Sequence, residues 1–405
     1  MRKRGGRHRR VDLKRRFNRE SVPDQGVGAV WPMSTEVFAG LQERESAVKS
    51  QAERRCSLSD LEVRIVDPVC DSDWDRLAVS HPDCNFFHSA AWAKVLCKTY
   101  GHEAIYLHFS QRPELVALVP MMEVRSPFTG RRGVCLPFSD FCGPLMFDKS
   151  QSGPVIDKLS ELARERNWKY FEVRGGQGTL PAGATPATQF YGHRLSLSDS
   201  SEELFARCAS PVRRAIRKAE KSGVDVQVTK TRDAILEFYR LHVRTRRRHG
   251  LPPQPLSFFL NIYEEIIKAG QGFVVLARRG SRSFAAAVFF RFGKNAVYKF
   301  GASDEAFQEF RGNNLVMWEA IRFMIRDGAR MLHFGRTSLD NDGLRRFKMG
   351  WGTVEEAIQY FKFDFGAKIW QGVWGNDSGF YNNIFRRLPL VLNRLAGAVI
   401  YPHLD

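Results

Sequence analysis

The sequence predicts an α/β (α+β) fold of two related lobes, and three observations carry that prediction. A chain of 405 residues, 43% hydrophobic and 26% charged, has an ordinary globular composition and room for two or three domains. From Leu61 onward, runs of alternating apolar residues and runs with helical periodicity follow one another, as strands mixed with helices do. One order of elements, a strand meander, a helix and a strand ending in Gly or Arg, occurs twice, at about 103–176 and 273–336. The repeat lies in the order, with little residue identity. Its simplest reading is two copies of one mixed domain side by side, with a ligand crevice between them.

Each element has its own signal. Leu61-Glu-Val-Arg-Ile-Val66 alternates like a strand, Asp73–Val79 suits a helix opening, and Ser89 can cap a helix over Ala90–Lys98. Glu103–Phe109 and Leu115–Met122 read as strands joined by a Gln-Arg-Pro turn. An amphipathic helix over about 154–167 leads to a strand, Lys169–Arg174, and to Gly175-Gly176. Residues 175–192, rich in Gly, Pro, Ala and Thr, read as a connection. In the second half, helices over about 231–248 and 256–269 precede a meander of Phe273–Arg278, Phe284–Phe292 and Ala296–Phe300. A helix from about Asn314 to Asp327, closed by Gly328, then leads to the strand Met331–Phe334, which ends in Gly335-Arg336.

Charge narrows the partners. Lys and Arg number 62 against 44 Asp and Glu, a formal charge of +18, which points to nucleic acid, an anionic membrane surface or a phosphate-bearing substrate. Residues 1–20 hold ten Lys/Arg and two acids, and 1–58 read as a basic, mostly disordered extension. Seven scattered cysteines without C-x-x-C exclude a zinc ribbon or a dense disulfide scaffold and favour a reducing compartment. The cytoplasm is the expected location, with peripheral contact at the inner membrane face open. No apolar stretch approaches the roughly 20 residues of a membrane helix; Leu388–Tyr401 is short and interrupted by Asn393 and Arg394.

Several residues can carry chemistry. Residues 205–255 hold 13 Lys/Arg and four acids. A helix over Pro211–Lys221 puts Arg213, Arg217 and Lys221 on one side and Arg214 and Lys218 on the next stripe. A second knot, Arg244–His249, lies downstream. Such stripes neutralise phosphates or form a solvated face. Gln308-Glu-Phe-Arg311-Gly312-Asn313-Asn314 opens the strongest helix, as an anion-binding loop or as a good turn and N-cap. His333 stands in an apolar strand as a structural residue or a base. His242 and His249 sit in the cationic region, where burial and nearby charge suit a base and a surface role stays open. Thr337 and Ser338 begin a polar loop at a strand end, where α/β proteins place ligands. Lys348 and Trp351 follow in a Gly-punctuated aromatic stretch that suits a rigid rim. Walker, Rossmann, G-x-S-x-G, H-E-x-x-H and clustered Cys/His patterns do not occur, so no metal site and no tightly bound cofactor is expected.

Pro211–Lys221, Tyr298-Lys-Phe-Gly-Ala-Ser303, Asn313–Ala320, His333-Phe-Gly-Arg-Thr337 and Phe347-Lys-Met-Gly-Trp-Gly352 follow in an order and spacing that resembles the FemAB-like branch of the GNAT acyltransferase superfamily over about 205–365. Phe87-His-Ser89, Trp92, Tyr100-Gly-His102, Pro120 and Cys142-Gly-Pro144 match more loosely; together these cover roughly three quarters of the chain. The resemblance implies two tandem GNAT-like domains, each a mixed, mostly antiparallel sheet flanked by helices. They are expected at 59–200 and 201–366, before an amphipathic tail at 367–405. It implies transfer of an acyl or aminoacyl group, from acyl-CoA or aminoacyl-tRNA, to an amine of a small-molecule or lipid-linked phosphorylated precursor.

Such aminolysis needs a positioned carbonyl and stabilisation of a developing oxyanion. On this reading Arg213, Arg214 and Arg217 hold substrate phosphates, and Tyr239 and His242 line the acceptor side, His242 as a candidate catalytic residue. Lys299, Ser303, Asn313 and Arg336 hold the donor or its acyl oxygen, Arg311 and Asn314 belong to the anion loop, and Thr337 and Trp351 line the rim. Lys348 stabilises charge at the reacting carbonyl. Two other classes compete. A nucleic-acid-binding protein would use the basic tail and the 205–255 stripe, although no helix-turn-helix, RRM or KH pattern appears. A non-catalytic membrane-peripheral protein would use Phe380–Tyr401 and the cationic surface.

Overall fold

Two antiparallel meanders, each completed by a parallel strand, meet edge to edge in a single 15-stranded sheet. The computed structural model describes residues 61–181, 183–197, 200–372 and 384–404; the basic extension expected at 1–58 lies outside them. In the first lobe β1 (Glu62–Val66), β2 (Glu103–Gln111), β3 (Glu114–Ser126) and β4 (Gly130–Val134) are antiparallel. A short β5 (Leu145–Met146) lies against β3, and β6 (Tyr170–Arg174) joins parallel to β4. After β7 (Thr188–Ser196), the second lobe repeats the plan. Its strands β8 (Asp225–Thr229), β9 (Gly272–Arg279), β10 (Arg282–Phe292) and β11 (Asn295–Ser303) are antiparallel, and β12 (Met331–His333) is parallel to β11. The chain then forms β13 (Thr337–Ser338), β14 (Val354–Asp364) and β15 (Ile369–Trp370).

The lobes exchange strands. β7, which leaves the first lobe, pairs with β12 of the second; β14, which leaves the second, pairs with β6 of the first. At the centre β7 and β14 pair with each other, from Val354 opposite Arg194 to Tyr360 opposite Thr188. The boundary expected near residue 200 falls just after β7, and the sheet runs on through it. β14 escapes the sequence reading because Glu355 and Glu356 break its apolar alternation. Both carboxylates are paired inside the fold, Glu355 with Arg345 and Glu356 with Arg194.

The helices are α1 (Trp74–Ser80), α2 (Ala90–Tyr100), α3 (Ser152–Glu165), α4 (Ser201–Arg207), α5 (Ser210–Lys221), α6 (Arg232–Arg248), α7 (Leu256–Ile262), α8 (Gly312–Arg326), α9 (Asp342–Met349) and α10 (Leu390–Ile400). α3 and α8 are the crossovers that parallel pairing requires. α2 begins as expected, with Ser89 Oγ accepting from Trp92 N–H at 3.3 Å. β9 and β10 are nearly continuous apolar runs because helices cover both faces. Val274, Leu276, Ala286, Val288 and Phe290 pack in the cluster containing residues of α2, α6 and α7, whereas Phe273, Val275, Ala285, Ala287 and Phe289 pack with those of α5 and α8. The first cluster spans both lobes: Phe86 and Trp92 meet Phe290 at ring-centre distances of 4.6 and 5.9 Å. Among the described residues no helix is long and apolar enough to cross a membrane.

Candidate active site

Val212, Ile216 and Ala219 recur at helical spacing and are buried, which seats α5 against α8 and fixes where its arginines go. Arg214 and Lys218 line a cavity of about 610 Å³, to which Arg311 and Asn314 contribute from the start of α8 and Gly343 and Arg346 from α9. Pro211 opens α5 at the same cavity, so the starts of α5 and α8 converge on it, while α9 lies along it from Gly343 to its C-cap Gly350. Helix starts leave backbone N–H groups unsatisfied and carry partial positive charge. Four cationic side chains and no carboxylate line this space, a lining whose chemistry suits an anion. Gly312 sets the start of α8 against β10: a Cβ there would lie 2.4 Å from Phe284 Cε2. Arg311 precedes it in a left-handed conformation, φ 55°. A smaller cavity of about 120 Å³ adjoins, sharing Arg311 and Asn314 and adding Ser303 and Asn313.

A second group is buried at the end of β12. Lys348 Nζ donates to the carbonyl oxygens of Gly335 at 2.9 Å and Arg336 at 3.0 Å. Lys299 Nζ donates to Phe138 O at 2.6 Å and pairs with Asp140 Oδ2 at 3.2 Å. Arg336 donates to the Tyr360 hydroxyl at 2.8 Å and lies over the Phe190 ring; Tyr360 donates in turn to the Asp140 carbonyl at 2.7 Å. Burial pushes Lys348 down to about 8, with Asp140 opposing and Lys299 adding to the shift. Burial also lowers Lys299, against the pull of Asp140. Lys348 has carbonyls but no carboxylate as direct partners, and like Lys299 and Arg336 it lines none of the three cavities.

Between the lobes lies a third feature, a cleft of about 310 Å³. His88 and Arg174 of the first lobe, His333 of the second, and Arg194 and Glu356 of the central strands line it. His333 Nε2 lies 3.1 Å from Glu356 Oε1, and His333 Nδ1 accepts from Gly335 N–H at 2.9 Å. Burial lowers the His333 pKa against the raising effect of Glu356. Burial alone would raise Glu356, but the His333 and Arg194 partners outweigh it and hold the carboxyl low.

Several expected site residues lie elsewhere. Arg213 bonds the Ala206 carbonyl at 2.6 Å and Arg217 lies over Phe205; neither lines the anion cavity. The stripe divides because neighbouring positions on α5 diverge around the helix: one side meets α4, the other the cavity. Tyr239 and His242 are buried among Phe238 and Phe259 and line none of the three cavities. His242 Nε2 bonds Gln254 Oε1 at 2.9 Å, and burial drives its pKa down to about 3. Trp351 is a core residue against Phe334 and Phe347, not a rim. Thr337 is buried as well, with no protein partner for its Oγ1. Three arginines of the 244–248 knot are engaged internally: Arg244 with Asp304, Arg246 with the Pro252 carbonyl, Arg248 with Glu305.

The sequence reading named Arg214, Arg311 and Asn314 among the site residues and left out Lys218 and Arg346, although the same stripe and the same basic loop contain them. His88 and Arg174 fell within named segments, Phe87-His-Ser89 and Lys169–Arg174, but nothing marked them, Arg194 or Glu356 as one site; only strand exchange brings them together.

Residues 206–350 match the domain family described as acetyltransferase (GNAT) domain. No curated protein matches the sequence. Among solved structures, FemX superposes with a TM-score of 0.61 at 16% identity, over 76% of this chain and 98% of that one. A tandem GNAT protein from the clavulanic acid biosynthesis pathway gives 0.48 at 10% identity, over 78% and 100% of the two chains. The C-terminal domain of a putative lysylphosphatidylglycerol synthetase from Agrobacterium fabrum gives 0.46 at 12%, over 67% and 85%. Residues 206–350 thus carry an acetyltransferase (GNAT) domain match, and the chain shares the fold of FemX.

Proposed function

We propose that the protein moves an acyl or aminoacyl group from an activated ester or thioester, acyl-CoA or aminoacyl-tRNA, to an amine of a phosphorylated or cell-envelope precursor. The observation that carries this reading is the cavity where Arg214, Lys218, Arg311 and Arg346 gather beside two helix starts with no acid among them. Phosphates of one substrate fill it, neutralised by guanidinium groups and backbone N–H groups. The amine of the second substrate enters the cleft between the lobes. Lys348 then stabilises the oxyanion as the neutral amine attacks the carbonyl and the C–N bond forms; the ester or thioester bond breaks, and the proton the nitrogen loses ends on the departing oxygen or sulfur. Lys299 and Arg336 hold the surrounding carbonyl framework. The six described cysteines are free, which supports a cytoplasmic site of action, at the inner membrane face when the acceptor is lipid-linked.

A transfer assay with purified protein tests the reading, offering acyl-CoA thioesters and aminoacyl-tRNA against amine acceptors with and without phosphate. Turnover with one donor class, lost in Arg214→Ala with Arg346→Ala, is expected. No transfer from either class would refute it.

A further inference from the structure

α10 is built inside out. A surface helix ordinarily turns its apolar stripe inward, yet the buried residues of α10 are Asn393 and Gly397. Gly397 seats the helix: a Cβ there would lie 2.0 Å from the Pro253 carbonyl oxygen. Asn393 Nδ2 donates to the Phe385 carbonyl at 3.4 Å, and Tyr401 locks the end, its hydroxyl donating to Pro252 O at 3.2 Å and accepting from Arg246 at 2.8 Å. The outward stripe is apolar. Val391, Leu395 and Val399 recur every four residues with Leu392 beside them, at 67%, 58%, 66% and 50% exposure. Phe128, 80% exposed, meets His403 edge to face next to the helix end.

The charged side chains of this segment have one sign. Residues 384–404 contain Arg386, Arg387 and Arg394 and no acid, and Arg386 and Arg387 are exposed at the entry to the helix. An isologous contact with a second copy would set arginine against arginine. A bilayer with anionic headgroups complements both features: acyl chains take the valines and leucines, and phosphates take the arginines. We propose that the outward face of α10, with Phe128, Arg386 and Arg387, is an interfacial docking surface for an anionic lipid bilayer. It shares no residue with the three cavities and stands whether or not the transfer reading holds.

Vesicle flotation of the full chain tests it, with phosphatidylcholine vesicles that contain or lack phosphatidylglycerol. The protein is expected to float with the anionic vesicles. Leu395→Glu with Val399→Glu, and separately Arg386→Glu with Arg387→Glu, should each cut the bound fraction about tenfold or more. All four residues are exposed, so the melting temperature should not move. Three outcomes overturn the proposal: no flotation of the wild type; flotation that survives both double variants, which would assign the contact elsewhere, such as residues 1–20; or a dimer that Leu395→Glu with Val399→Glu dissolves without any vesicle binding. Equal flotation on phosphatidylcholine alone would overturn the anionic selectivity.

Discussion

Lys348 Nζ lies 2.9 Å from the carbonyl oxygen of Gly335, at the end of the strand β12 where both lobes' chains pass. The bond fixes a buried ammonium that no carboxylate neutralises directly, and the contact has consequences for both activity and stability.

For activity, Lys348→Met should lower kcat by about 100-fold or more, as the loss of a preorganised charge does at other oxyanion sites. Since Lys348 is held at about 8, the wild-type kcat should decline as pH rises through that value and the ammonium is lost. A kcat that rises through the same pH would assign Lys348 to proton removal instead.

For stability the sign is reversed. The folded chain holds the Lys348 proton less tightly than the unfolded one, whose value is the ordinary 10.5. Stability therefore increases with pH between about 8 and 10.5. At neutral pH, Lys348→Met should gain on the order of 3 kcal/mol from the relieved shift, offset by about 1–3 kcal/mol for each of the two carbonyls left unpaired. Thermal unfolding should show this gain narrowing as pH approaches 10.5; a gain that does not change with pH would contradict the assignment.

Much of this arrangement was legible in the sequence. The two meanders, Ser89 as a cap and the cationic stripe of α5 follow from local rules, since each depends on neighbours in the chain. The positions of His242 and Trp351 do not. Polarity and a basic neighbourhood suggested a site for His242, but a histidine can be buried neutral if one nitrogen finds a partner, and Gln254 supplies it. β14 was hidden because its charged residues are satisfied by long-range partners such as His333, 23 residues away. The cleft arises from strand exchange, and periodicity within one element says nothing about which sheet that element joins.

Burial of neutral histidines sets the acid limit. Burial lowers His88 to about 4 and His242 to about 3, from an ordinary 6.5. The unfolded chain takes up these protons first, so stability falls as pH drops from about 6.5 towards those values. His242→Leu should flatten the acid limb of a pH–stability curve by a few kcal/mol while kcat at neutral pH stays within about twofold, because the side chain lies in the core. A large loss of kcat with unchanged acid stability would restore His242 to the catalytic set.

Gly312→Ala should destabilise by about 1–3 kcal/mol, because its Cβ would meet the Phe284 ring and Ala285 Cβ at 2.4 and 3.2 Å. The same shift would distort the start of α8 and weaken binding of a phosphorylated donor. Chemical denaturation of the variant beside a donor titration checks both effects; full stability with native affinity would contradict the packing.

Donor affinity tests the cationic cavity most directly, by calorimetric titration of the wild type, Arg214→Ala and Arg346→Ala with acyl-CoA and with aminoacyl-tRNA. Each charge-assisted hydrogen bond contributes about 1.5–3 kcal/mol, so each variant should bind the productive donor at least about tenfold more weakly. Unchanged affinity in both variants would contradict the account.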